Sequence, residues 1–167
     1  MKRHKNFWDV TEDSLDKSMK VFNIDKNMKN ELLSLYKILS PYPEVKGVLE
    51  DLKKKNFKLA ILSNGTPDLL NELVESNKLN NLFDDIFSIE EVKIYKPDPR
   101  VYEIPIKKYK IKSDEITFLS ANTWDVSGGG NFGYNSIWVN RHNSVFDILD
   151  FQPKNEISNL TQLLDIV

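Results

Sequence analysis

Two hydrophobic patterns divide the chain near Pro41 and Pro43. Before these prolines, apolar residues recur every three or four positions, which predicts a helix over residues 11–22, with Thr11 as its N-cap, and a second over residues 28–39. After them, amphipathic helices alternate with short apolar runs. This alternation predicts a parallel α/β sheet that helices cover on both faces.

The alternating part begins with a helix whose apolar stripe includes Val45, Val48, Leu49 and Leu52. Further helices are predicted from Pro67 and over residues 101–109, and strands over residues 57–62, 86–89, 116–119 and 137–139. We therefore place a helical part at residues 1–42 and an α/β part at residues 43–167.

Composition narrows the class of protein. The 167 residues are 40% hydrophobic and 29% charged, which suits one globular domain with a small helical appendage. The absence of cysteine excludes disulfides and a Cys nucleophile, and fits a reducing compartment. A net charge of -2 provides no electrostatic basis for binding nucleic acid, and no apolar stretch approaches the ~20 residues that span a bilayer. We expect a cytoplasmic protein.

One candidate binding segment follows the first predicted strand. Ser63-Asn64-Gly65 ends one apolar run directly before the helix predicted at Pro67. In a parallel sheet, ligands bind outside the carboxyl ends of the strands, and amide groups at a helix N-terminus bind anions. The segment is therefore a candidate anion-binding site, and the alternative is an ordinary turn.

Lys96 and Asp125 are the candidate charged groups. Lys96 precedes Pro97 and Pro99, which favour an extended segment, and could neutralise a carboxylate; the alternative is a solvated surface lysine. Asp125 falls in the first turn of a helix that follows Ser120 and Asn122. It could form an ion pair with Lys96, or simply stabilise the helix N-terminus.

Together these segments resemble the haloacid dehalogenase superfamily, and most closely its L-2-haloacid dehalogenases. The resemblance rests on three motifs in the order that this family shows: Ser63-Asn64-Gly65, Lys96-Pro97-Asp98 with Val101-Tyr102, and Ser120-Ala121-Asn122-Thr123-Trp124-Asp125 with Phe132-Gly133. It implies a Rossmann-like, doubly wound parallel sheet at residues 43–167. It also implies that residues 1–42 are a partial helical cap.

The resemblance implies hydrolysis of the carbon–halogen bond of short (S)-2-haloalkanoates through an aspartyl ester. The catalytic residues that it implies are Lys96, Ser120, Asn122 and Asp125. The substrate-binding residues that it implies are Ser63, Asn64, Tyr102, Phe7 and Trp124. Ser120 and Asn122 stand where phosphatases of the superfamily carry acidic ligands for Mg²⁺, so we expect no metal or other cofactor, and consider a phosphatase the weaker alternative.

One family feature is absent from these residues. Enzymes of the family carry their nucleophilic aspartate in an Asp-x-x-Gly-Thr motif after a first strand, and the sequence contains no such motif. We therefore expect the core to lack its first strand, which in the family lies between the strands ending at Ser63 and Ser120. We also expect the chain alone to be inactive. The alternatives are an inactive remnant or a binding protein of the same fold.

The expected partner is a small 2-haloacid, without nucleic acid or membrane. The sequence leaves open a homodimer or a separately encoded N-terminal segment. Two local features depart from the family. Gly128-Gly129-Gly130 stand in a predicted helix, where each glycine costs about 1 kcal/mol relative to alanine. Pro105 would fit the helix over residues 101–109 only if that helix began late enough to place it in the first turn.

Overall fold

The computed structural model describes residues 4–167. In that range the helices are α1 (Phe7–Val21), α2 (Lys29–Leu35), α3 (Val45–Lys54), α4 (Pro67–Ser76), α5 (Pro99–Tyr109) and α6 (Thr123–Phe132). The strands are β1 (Ala60–Ser63), β2 (Asp85–Ser88), β3 (Thr117–Ser120), β4 (Asn135–Val139) and β5 (Asn155–Ile157). Short 3₁₀ turns lie at Lys26–Met28, Ile89–Glu91, Ser113–Glu115 and Leu160–Asp165.

The strands form two parallel sheets. β1 pairs with β2, and a second sheet has the order β3-β4-β5. The chain divides into two compact units: the first is the described part of Met1–Tyr42 with Lys58–Lys93, and the second is Pro43–Phe57 with Ile94–Val167. The α/β class with parallel strands, predicted from the alternating pattern, is confirmed.

In the first unit, α1 begins earlier than predicted. The side chain of Asn6 accepts a hydrogen bond from the backbone N–H of Asp9 and caps the helix, so α1 starts at Phe7. Thr11, the predicted N-cap, lies inside the helix, where its buried hydroxyl donates to the carbonyl of Phe7 at 2.8 Å. The prediction was wrong because Asn6 satisfies the free amide groups one turn sooner.

The second helix is shorter than predicted. α2 ends at Leu35, where the amide groups of Tyr36 and Lys37 tighten into i→i+3 bonds with Leu33 and Ser34. Leu33 is the buried apolar residue of α2, whereas Leu35 of the predicted stripe is exposed. Two helical turns are too short for the long stripe that the spacing suggested.

The strands differ in burial. No residue of β1 or β3 is fully buried, whereas four of the five residues of β4 are. β1 and β3 are also the two strands that the family pattern places on either side of a missing strand. That the core lacks a strand between them stays a prediction. β5 was not predicted, because Asn155-Glu156-Ile157 contains one buried apolar residue and no hydrophobic run.

In the second unit, the glycines of α6 have a packing role. A Cβ on Gly128 would lie 2.6 Å from the hydroxyl of Tyr102, and one on Gly129 would lie 2.7 Å from the ring of Phe118. α6 can therefore approach α5 and β3 only because these positions lack side chains. This close packing offsets the expected loss of helix propensity.

Pro105 does not lie where the sequence suggested. α5 begins at Pro99, with Asp98 as N-cap, so Pro105 is buried in the second turn rather than the first. It removes the backbone hydrogen bond to Val101 that another residue would form. The helix nonetheless continues to Tyr109.

Candidate active site

The central feature of the second unit is a buried ion pair. Nζ of Lys96 lies 2.7 Å from Oδ2 of Asp125, and the two side chains are only 8% and 4% exposed. Asp125 is in the first turn of α6, directly after β3, and Lys96 precedes α5 in a segment whose Lys96–Pro97 peptide bond is cis. The ion pair predicted from the motifs is confirmed, and a solvated surface lysine is excluded.

Tyr102 completes this group from α5. Its fully buried hydroxyl donates to Oδ1 of Asp125 at 2.8 Å. Burial, reinforced by the negative charge of Asp125, raises the pKa of Tyr102 above its ordinary value of 10.0. The phenol therefore remains a hydrogen-bond donor, and each carboxylate oxygen of Asp125 has a donor of its own.

Aromatic packing fixes the position of Tyr102. Its ring lies within 6 Å, centroid to centroid, of the rings of Phe118, Phe132 and Tyr134. The hydroxyl of Tyr134 donates to the backbone carbonyl of Tyr102, and burial raises the pKa of Tyr134 as well. The phenol that contacts Asp125 is thus held by rigid neighbours on several sides.

The turn after β3, which we call the β3 corner (residues 120–125), carries the remaining predicted groups of this unit. The amide of Asn122 donates to Oγ of Ser120 at 3.2 Å. Asn122 is the N-cap of α6, but its exposed side chain forms no capping bond. Trp124 is 39% exposed, so it does not fill the core, which was the alternative to a pocket wall.

A similar turn, the β1 corner (residues 63–66), lies in the first unit. Oγ of Ser63 accepts from the amide of Gly65 at 3.0 Å, and Oγ of Ser88 at the end of β2 donates to the carbonyl of Gly65 at 2.6 Å. Thr66 is the N-cap of α4 and forms no side-chain cap. The free amide groups of this helix start can face a ligand.

The structure brings Lys96 and Tyr102 into direct contact with Asp125, and Ser120, Asn122 and Trp124 lie on the adjoining turn. Ser63, Asn64 and Phe7 belong to the first unit, with Phe7 half-buried at the start of α1. Sequence reasoning missed Gly128 and Trp138. Gly128 leaves room for the hydroxyl of Tyr102, because it has no side chain. The indole of Trp138 donates to the carbonyl of Ala121 at 3.2 Å. The glycine run after Asp125 was the available signal.

The carboxylate at this site is engaged by hydrogen-bond donors. Asp125 is the buried carboxylate here, and both its oxygens accept from Lys96 and Tyr102. Within residues 4–167, no three His, Asp or Glu side chains gather closely enough to hold a metal ion.

None of the helices in that range is long and apolar enough to cross a membrane.

Comparison with known proteins places this chain in a family. The family described as "Haloacid dehalogenase-like hydrolase" matches residues 3–139. The chain belongs to this family. Among curated relatives, it is 36% identical to (S)-2-haloacid dehalogenase 1 of Pseudomonas sp. (strain CBS-3), over 98% of this chain and 73% of that one. It is 34% identical to (S)-2-haloacid dehalogenase 4A of Burkholderia cepacia, over 98% of this chain and 71% of that one.

Solved structures of the haloacid dehalogenase-like hydrolases show the same fold. One dehalogenase crystal structure superposes with a TM-score of 0.95 at 32% identity, covering 98% of this chain and 74% of that one. The L-2-haloacid dehalogenase from Xanthobacter autotrophicus, with chloropropionic acid covalently bound, superposes with a TM-score of 0.91 at 26% identity. That comparison covers 98% of this chain and 76% of that one. The fold and family implied by the three motifs are confirmed.

Proposed function

We propose that this chain supplies most of the active site of a cytoplasmic (S)-2-haloacid dehalogenase acting on short 2-haloalkanoates. The observation that carries the proposal is the buried group formed by Lys96, Tyr102 and Asp125 at the carboxyl end of β3. A fixed ammonium in a water-poor site is the group that a displacement between a carboxylate and an anionic substrate requires. The similarity to relatives named (S)-2-haloacid dehalogenase selects the substrate class.

The proposed reaction has two steps. In the first, an aspartate oxygen forms a bond to C2 of the haloacid, the bond from C2 to the halogen breaks, and the halide leaves with the bonding electrons. In the second, water attacks the carbonyl carbon of the resulting ester. The 2-hydroxy acid leaves with inverted configuration at C2, the aspartate is regenerated, and one proton is released.

Each residue of this chain has a defined part in that scheme. Lys96, which Asp125 holds in place, would orient the attacking carboxylate. Ser120 and Asn122 would hold the hydrolytic water. Ser63 and Asn64, with the amide groups at the start of α4, would bind the substrate carboxylate, and Phe7 and Trp124 would enclose its apolar part.

The nucleophile would come from outside these 167 residues, because they contain no Asp-x-x-Gly-Thr motif. We propose that residues 1–42 contribute to a helical cap and residues 43–167 to the core. A segment bearing the motif would join this core as an added strand. That segment could be joined to this chain or encoded separately, and a second copy of the chain could assemble with it. A catalytically inactive binding protein of the same fold is the competing proposal.

Release of halide from (S)-2-chloropropionate tests the proposal. The chain alone should release none, because it contains no Asp-x-x-Gly-Thr motif and its buried Asp125 carboxylate is held by Lys96 and Tyr102. The chain expressed with an Asp-x-x-Gly-Thr segment of the family should release halide, and the same segment with asparagine in place of the aspartate should not. In the active form, Asn122→Ala should lower kcat by about tenfold or more.

Three outcomes would contradict this function. One is turnover by the chain alone that Asp125→Ala abolishes, which would place the nucleophile inside these residues. Another is a correctly folded complex that binds the segment and releases no halide, which would favour the binding protein. The third is Mg²⁺-dependent hydrolysis of a phosphate ester, which would favour a phosphatase.

A further inference from the structure

The connection between β4 and β5 is long and has no regular structure. Residues 140–154 contain neither helix nor strand. Connections of this length without secondary structure are uncommon in compact domains, and many of them serve a function. At its start, Asn140 and Ser144 exchange two hydrogen bonds, from the Asn140 side-chain amide to the Ser144 carbonyl at 2.9 Å and from the Ser144 amide to Oδ1 of Asn140 at 2.8 Å. These two hydrogen bonds give the start of the connection a defined conformation.

Two contacts from this connection reach the β3 corner. The ring of Phe146 packs edge-to-face on the ring of Trp138, with centroids 5.0 Å apart, and the indole N–H of Trp138 donates to the carbonyl of Ala121. The carboxylate of Asp147 accepts a hydrogen bond from the hydroxyl of Thr123. Ala121 and Thr123 are the residues on either side of Asn122.

A third contact anchors the far end of the connection. The ring of Phe151 lies against Gly130 of α6 so closely that a Cβ on Gly130 would be 2.3 Å from ring atoms. The side-chain amide of Gln152 also donates to the carbonyls of Asp147 and Leu149, at 3.2 and 3.3 Å. The third glycine of the run in α6 is thereby explained, because it makes room for this ring.

Two apolar side chains of the connection point outward. Val145 and Ile148 are 91% and 103% exposed, so hydrophobic burial of these residues does not fix it. Phe146, Asp147 and Phe151 are its specific anchors. Loss of one such anchor should loosen the neighbouring turn without unfolding the unit.

We propose that residues 143–151 form a strap that fixes the backbone on both sides of Asn122. Asp147 and Phe146 are then positioning residues for the side-chain amide of Asn122. The strap holds the turn through Ala121 and Thr123, and leaves the Asn122 side chain outside the capping bonds of α6. The part of Asn122 in handling water or substrate rests on the proposed function, whereas the bracing itself does not.

Hydrogen exchange and NMR test the strap on the 167-residue chain as it is. Thr123→Val removes the hydroxyl but keeps the shape, and Asp147→Ala removes its acceptor. Each should speed amide exchange in residues 118–126 about two- to tenfold, the range expected for losing one hydrogen bond. The double variant should add little to either single one, and Thr123→Ser, which keeps the hydroxyl, should behave as the unaltered chain.

The side-chain amide signals of Asn122 give a readout that general destabilisation would not produce. They should shift in Thr123→Val, Asp147→Ala and Phe146→Ala, but not in Val145→Ser, a matched change at an outward position of the same strap. Exchange in α3 should stay unchanged in all of these variants. Absence of any change at residues 118–126 in Asp147→Ala, or an equal increase in α3, would overturn the proposal. Failure of the dehalogenase assay would leave these results unaffected.

Discussion

The two corners are built alike in their backbone and differently in their charge. In both, a strand ends at a serine whose hydroxyl accepts the amide two residues later: Gly65 on Ser63 at 3.0 Å, and Asn122 on Ser120 at 3.2 Å. In both, the next helix starts at an N-cap residue, Thr66 or Asn122, that makes no side-chain cap. The same local rule therefore shapes both turns.

The two corners differ in the first turn of the helix that follows each of them. After the β1 corner, Asp68 lies in the first turn of α4 and is exposed to solvent. At the β3 corner, the equivalent acidic residue, Asp125, is buried and holds Lys96 and Tyr102. An uncharged turn with free amides suits binding of a carboxylate, and a turn with a fixed ammonium suits its reaction. We therefore propose a division of labour, in which the β1 corner binds the substrate carboxylate and the β3 corner holds the reacting groups.

The largest expected effect comes from breaking the buried ion pair. Asp125→Ala leaves the Lys96 ammonium buried without its partner, and should lower the free energy of unfolding by about 3 to 5 kcal/mol. Asp68→Ala is the matched change at the other corner, and should alter it by about 1 kcal/mol or less, since only the helix dipole is affected. Chemical denaturation of both variants measures this. Equal losses of unfolding free energy in the two variants would contradict the difference in charge between the two corners.

Removing a single hydroxyl should also cost more stability next to the β3 corner than next to the β1 corner. Tyr102→Phe removes a donor to the charged Asp125 and should cost about 1.5 to 3 kcal/mol. Ser88→Ala removes a donor to the neutral Gly65 carbonyl and should cost about 0.5 to 1.5 kcal/mol. Thermal unfolding of the two variants under identical conditions gives the order. A larger loss for Ser88→Ala would contradict the assignment of the charged group to the β3 corner.

Added methyl groups test how tightly the β1 corner and the helix that follows the β3 corner are packed. Gly128→Ala places a Cβ against Tyr102 and Pro97, both under 3 Å, and should destabilise by about 1 to 3 kcal/mol. Gly65→Ala meets the flexible end of Leu70 at 3.0 Å and should cost less. Gly47→Ala, in α3 with nothing within 4 Å, should stabilise by about 0.4 to 1 kcal/mol. Denaturant midpoints report all three, and a stabilising Gly128→Ala would show that close packing is unnecessary there.

The smallest expected effect is acid sensitivity of the second unit. A hydrogen bond from its own backbone amide, assisted by the Arg141 guanidinium 2.6 Å away, lowers the pKa of Glu44 below its ordinary value of 4.5. A lowered pKa means that the stabilisation is fully present above pH 4.5 and is lost as the pH falls through the folded-state value. Glu44→Gln should flatten that part of the stability profile. An unchanged profile would assign the acid sensitivity elsewhere.

Part of this site could be predicted from the sequence. Lys96 and Asp125 belong to motifs that lie near one edge of a parallel sheet, so their contact could be inferred. The contact of Tyr102 with Asp125 could not, because it depends on how closely α6 approaches α5, which Gly128 decides. The strap could not be predicted either, since Phe146 and Asp147 lie in a stretch with no periodic pattern. Local spacing reveals strand ends, whereas packing between elements decides which side chains meet there.

An NMR titration of the ¹⁵N-labelled chain with (S)-2-chloropropionate tests the division of labour most directly. The account predicts saturable shifts of the amide signals of the β1 corner, because that turn should bind the substrate carboxylate even without the nucleophile. Ser63→Ala should weaken this binding by about tenfold, as expected for one lost hydrogen bond to a charged group. Ser76→Ala, at the far end of α4, is the matched control and should leave it unchanged. Saturable shifts confined to other parts of the chain, with residues 63–66 unmoved, would contradict the account.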